Sequence, residues 1–131
     1  MIKKVSFLLI AVFASCLFTI VVYAFNTYNH QPFTLVRMGD MAEANANMSG
    51  TVSVKADIVD VNGPTNLAFI LCYEGFGGLK YVGRADFTTS SPESRISTWR
   101  NMKSHVYHGR IILGSNPSNS AIHGEIYIGK A

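Results

Sequence analysis

Two stretches near the end of the chain share a His-Gly-charge-Ile pattern: YHGRIILG at 107–114 and IHGEIYIG at 122–129. They are joined by SNPSNS at 115–120, a run of turn-forming residues. If they pair as a hairpin, one register places Arg110 opposite Glu125, His108 opposite Tyr127 and Ile112 opposite His123. His108, Arg110, His123, Glu125 and Tyr127 then share a polar face, with Tyr107, Ile111 and Leu113 against Ile122, Ile126 and Ile128 behind it. Imidazoles, a carboxylate and a guanidinium on an antiparallel sheet are what a small ribonuclease needs. Such an enzyme sets a base and an acid either side of a phosphate and a cation on the developing charge. The same side chains also suit a solvated strand face on which Arg110 and Glu125 satisfy each other. The five are therefore taken as a candidate binding face, and no residue is assigned as catalytic.

Other chemistry-bearing types give less. His105 and His108 lie three apart, which on a strand turns them to opposite faces, so they do not share one ion. No metal and no cofactor is expected. Gly75-Phe76-Gly77-Gly78 precedes no helix and so lacks the N-terminus on which phosphate loops rely; it reads as a turn. Trp99, Tyr81, Tyr107 and Phe76 would stack on a sugar if they gathered on the surface, but in a small domain aromatics are needed for the core. Cys72, inside the apolar run LAFILCY, reads as a buried small hydrophobe.

The frame that must hold these residues is small. The first residues place Lys3 and Lys4 ahead of an uncharged run from Val5 to Tyr23 that closes on Ala24. That is the order of a secretory signal peptide, predicting cleavage after Ala24, a single domain over 25–131 and a secreted, extracellular location. Residues 5–24 are also long enough to span a bilayer, which keeps an uncleaved membrane anchor as the alternative. Without the leader, nine Lys and Arg face eight Asp and Glu, and a net charge of +1 gives no reason to expect nucleic acid as a partner. Cys72 is then the one cysteine left, so stability must come from the core and not from an internal disulfide.

TVSVKADI at 51–58 alternates without error, with Val52, Val54, Ala56 and Ile58 on one face and Thr51, Ser53, Lys55 and Asp57 on the other. Leu67 to Tyr73 has the length and continuous apolarity of a central strand, and Leu79 to Phe87 is its expected neighbour. A loop over 74–78 would set Tyr73 beside Leu79, Leu71 beside Tyr81 and Phe69 over Gly83. Phe33 to Met38 is a weaker strand. Asp40 to Gly50 reads as a loop with a short helical turn capped by Asp40 and Glu43. Residues 88–104 support either a helix capped near Ser91 or a loop leading to a strand over 95–100.

RISTWRNMKSHVYHGRIIL resembles the strand, turn and strand of secreted bacterial β-sandwich modules of the pre-peptidase C-terminal type. Asn101-Met102 matches the turn, and Tyr107 the tyrosine whose hydroxyl ties back to it. The resemblance implies an all-β, antiparallel β-sandwich of about seven strands; the alternative is an α+β fold with a short helix near 92–103. It also favours an exported, non-enzymatic module that acts by surface binding, as an accessory, adhesive, cell-envelope or effector part. Its partner would be a protein or carbohydrate at the cell surface or outside the cell, and a membrane only if the leader is kept. Two alternatives are a small secreted hydrolase such as a ribonuclease and a secreted antibacterial toxin or its cognate partner.

Overall fold

The structure, a computed structural model, describes residues 25–115 and 121–131. The proposed leader falls outside them. Six strands form it: β1 (Asn26–Leu35), β2 (Met41–Asp60), β3 (Thr65–Gly75), β4 (Gly78–Thr89), β5 (Glu93–Leu113) and β6 (Ile122–Lys130). They hydrogen-bond in the order β1-β6-β2-β5-β3-β4, and every ladder is antiparallel. The fold is thus all-β, and no helix occurs among the described residues, at 92–103 or elsewhere.

A single sheet builds a sandwich because β2 and β5, of 20 and 21 residues, belong to both layers. The first part of β2 pairs with the second part of β5, beside β3 and β4, and this is the first layer. Past Gly50 the same two strands pair again, now beside β6 and β1, as the second layer. The register breaks on either side of Gly50, which sits at φ 79°, where a bulge turns the strand and glycine relieves the backbone strain. The layers face each other closely: a Cβ on Gly109 would come within 2.8 Å of Val54 Cγ2 and 3.5 Å of Ile128 Cδ1.

The core follows from alternation. Val52, Val54, Ala56 and Ile58 point inward with Ile122, Ile126 and Ile128 of β6 and Phe33 and Leu35 of β1. They meet Leu67, Phe69 and Leu71 of β3 and Tyr107, Ile111 and Leu113 of β5. β3 is the interior strand its apolar run predicts, lying between β5 and β4 with Ala68 and Cys72 buried as well. The Tyr107 hydroxyl donates to the Lys103 carbonyl at 2.5 Å, and Asn101 takes φ 59° in the bend between them and Trp99.

Four local expectations are corrected. Residues 40–50 do not loop: β2 starts at Met41, and the Asp40 carboxylate accepts from the Val36 and Arg37 amides behind it instead of capping a helical turn. Its alternation of Ala42, Ala44, Ala46 and Met48 with Glu43, Asn45 and Asn47 uses residues poor in β-propensity, and only the neighbouring strand β5 makes it a strand. The segments expected as strands over 95–100 and 107–114 are one strand, which leaves six in place of seven. The β3–β4 turn is tighter than a five-residue loop, so Phe69 pairs with Ala85 and Leu71 with Gly83. Gly83 is covered by the Trp99 indole, to whose Nε1 an added Cβ would come within 2.4 Å. Finally, β5 and β6 form no hairpin: β6 inserts between β1 and β2, while β5 lies between β2 and β3. Outside the doubly buried β3, the strands have one more apolar and one more polar face, so alternation fixes which way a residue points but not which strand lies beside it.

Candidate binding face

The five residues singled out from the sequence separate into two groups on opposite outer faces. Tyr107 and Ile111 point into the core, so His108 and Arg110 point out of the first layer; Ile122, Ile126 and Ile128 point in, so His123, Glu125 and Tyr127 point out of the second. The expected Arg110–Glu125 pair does not exist.

On the second layer, β6 runs between β1 and β2, whose outward residues complete a face. His30 and Lys55 flank Tyr127, Asp57 flanks Glu125, and Thr34 flanks His123. His30 Nδ1 lies 2.7 Å from Glu125 Oε1, and its ring stacks on Tyr127 at 5.7 Å and 27°. On the other side of that ring's strand, Lys55 Nζ is 4.5 Å from the Tyr127 centroid and 5.1 Å from that of Phe25, which meets Tyr127 edge-on. Lys55 also approaches Asp57 at 3.7 Å, and Asp57 accepts from the Ser94 hydroxyl. His123 Nδ1 is 3.1 Å from Thr34 Oγ1. Burial pushes the Tyr127 phenol up to about 12, and the carboxylates of Asp57 and Glu125 add to this by disfavouring a phenolate beside them. Tyr127 therefore stays a neutral hydrogen-bond donor at physiological pH. The result is an array of donors and acceptors around a central aromatic.

On the first layer, His108 is 8% exposed and lies between two carboxylates: Glu74 at 2.9 Å from Nε2 and Glu43 at 3.4 Å from Nδ1. Arg110 Nε donates to Glu43 at 2.8 Å. Burial alone would raise the Glu43 carboxyl, but its bonds from Arg110 and His108 outweigh that and hold it below the usual carboxylate range. Asn45 Oδ1 is buried nearby, without a hydrogen-bond partner among the described residues. This is an ion network whose members compensate one another.

His105 stacks on Tyr73 at 4.3 Å and has no part in the His108 network, as the strand alternation requires. No group of three metal-ligating side chains occurs among the described residues. The aromatics divide as well: Tyr107 is buried and Trp99 lies on Gly83, whereas Tyr81 and Phe76 are exposed on β4 and its turn. His30, Glu43 and Glu74 were missed because pairing partners distant in sequence bring them in. Lys55 and Asp57 were already legible as the outward face of 51–58, though not as neighbours of Tyr127.

No family model matches the sequence, and no curated protein matches it significantly. Among solved structures, PirA is similar at 14% identity and a TM-score of 0.50, over 79% of this chain and 95% of that one. The mitogen of Yersinia pseudotuberculosis matches at 13% identity and 0.46, over 79% and 86%. A carbohydrate-binding module of Cellvibrio mixtus lichenase 5A, solved with cellotriose, matches at 17% and 0.47, over 81% and 90%. The likeness to PirA is one of fold. The doubled antiparallel sheet makes this chain a β-sandwich.

Proposed function

We propose that the chain is an exported β-sandwich that acts by surface binding and not by catalysis, as an accessory, adhesive, envelope or effector module. Its partner is a protein or carbohydrate at the cell surface or outside the cell. The observation that carries this reading is the division of the five polar residues between opposite faces. A phosphodiester cannot meet His108 and Arg110 together with His123 and Glu125, so the ribonuclease arrangement does not assemble. What remains on the second layer is an open face of His30, Lys55, Asp57, His123, Glu125 and Tyr127, with hydrogen-bonding groups on both sides of an aromatic. That chemistry suits sugar hydroxyls or a polar protein surface. The Tyr107–Lys103 bond supports the resemblance to modules of the pre-peptidase C-terminal type.

A screen of immobilised glycans, envelope polymers and surface proteins tests the reading, with wild type beside Asp57→Asn and Glu125→Gln. Binding that both substitutions weaken about tenfold, while circular dichroism stays unchanged, is the expected result. Hydrolysis of RNA by the wild type that Glu125→Gln abolishes would overturn it. Export is tested separately by mass spectrometry of the culture medium, where a soluble species beginning at Phe25 is expected. A full-length species confined to the membrane fraction would make the leader an anchor.

A further inference from the structure

The β3–β4 turn leaves an apolar ring uncovered. Phe76 stands among Gly75, Gly77 and Gly78, and Gly77 and Gly78 take φ of 86° and 128°, which residues with side chains rarely adopt. The glycines permit the reversal and place no side chain beside the ring, so Phe76 is 100% exposed. Behind it on β4, Leu79 and Tyr81 are 44% and 66% exposed. Both lie on the outward side, since Tyr81 and His108 are register partners of the same residue, Cys72.

Cations lie at the same end of the sandwich. Lys80 is exposed and crosses Gly75, where an added Cβ would lie 2.8 Å from its Cγ. The bend of β5 reaches the same end of the sandwich. Tyr73, near the turn, pairs with Tyr107, whose hydroxyl donates to the Lys103 carbonyl, and the Tyr73 ring stacks on His105. Lys103 and Arg100 are both exposed on that bend. The neighbouring carboxylate, Glu74, is already engaged by His108 at 2.9 Å.

We propose that this hairpin tip docks on an anionic lipid surface, with Phe76 and Leu79 entering the interfacial region and Lys80, Lys103 and Arg100 facing the headgroups. An aromatic tip backed by basic residues matches the two fields at such a surface: apolar burial below the headgroups, and a negative potential above them. A purely apolar pocket on a partner protein would account for Phe76 but not for the cations at this end of the sandwich. The site is separate from the second-layer face, so either can fail without the other.

The test is fluorescence of a Phe76→Trp variant of the full chain, with wild type, whose Trp99 lies against Gly83, as the baseline. On vesicles of phosphatidylcholine with phosphatidylglycerol, the added indole shifts to the blue and is quenched by brominated acyl chains. Neutralising Lys80 or Lys103 with glutamine in that background lowers the quenched fraction's partition constant about fivefold each, and high salt weakens it further. Because the signal is read at residue 76, a retained leader that binds vesicles by itself does not imitate it. An indole that stays water-exposed on anionic vesicles overturns the proposal, as does equal quenching on pure phosphatidylcholine. A protein partner captured through Phe76 in the absence of lipid quenching would assign the tip to protein docking and overturn it too.

Discussion

Gly124 shows how tightly β6 is fitted. A Cβ there would lie 2.3 Å from the Asp57 carbonyl oxygen and 2.6 Å from Phe33 Cζ. Gly124→Ala should destabilise the fold by about 1–3 kcal/mol in denaturant titration. Adding Phe33→Leu should not restore it, because the Asp57 backbone still blocks the methyl. Tyr127 offers a titration. Its phenol, raised from the ordinary 10.0 to about 12 in the fold, should ionise late by ultraviolet absorbance at high pH. The folded value is the higher one, so this contribution to stability is complete below about pH 10 and is lost as pH rises towards about 12. Asp57→Asn should move the phenol back downward, leaving the parts due to burial and to Glu125. An unchanged titration in that variant would mean that the Asp57 charge does not reach Tyr127.

The long strands depend on a few devices. Gly50 sits at φ 79°, and a Cβ added there would meet Lys130 Nζ at an ordinary 3.6 Å, so Gly50→Ala should cost about 1–2 kcal/mol through the backbone alone. Tyr107→Phe removes the hydroxyl that ties the β5 bend to Lys103 and should cost about 0.5–1.5 kcal/mol with the fold retained. The strand over 51–58 was legible because Val, Ala and Ile alternate with polar residues, and β3 because its apolar run is short and bounded by Asn62-Gly63-Pro64 and a glycine-rich turn. The first half of β2 was not legible. Alanine and asparagine do not favour strands, and what holds them there is a ladder to residues more than fifty positions away.

Sharing β2 and β5 between the layers makes the molecule one cooperative unit. Neither layer can open alone without breaking a strand that the other needs. Amides of β2 and β5 should therefore exchange with solvent only through global unfolding, while those of the outermost strands β1 and β4 exchange faster, as native-state hydrogen exchange would show. Separate protection classes for the two layers would contradict this. Most contacts join residues distant in sequence, so folding should be slow for a chain of this size.

The sequence by itself favoured an all-β class while leaving a helix near 92–103 open, and it determined the inward and outward assignment of most residues after position 50, including His123, Glu125 and Tyr127. A period of two is written locally along each strand. Partner choice was decided only by the tertiary structure, because any strand with an alternating face can satisfy another and no local signal names its neighbour. That is why the apparent C-terminal hairpin opened into two layers. Arg110 consequently found Glu43 and Glu125 found His30, and the polar residues that looked like one site became parts of two faces.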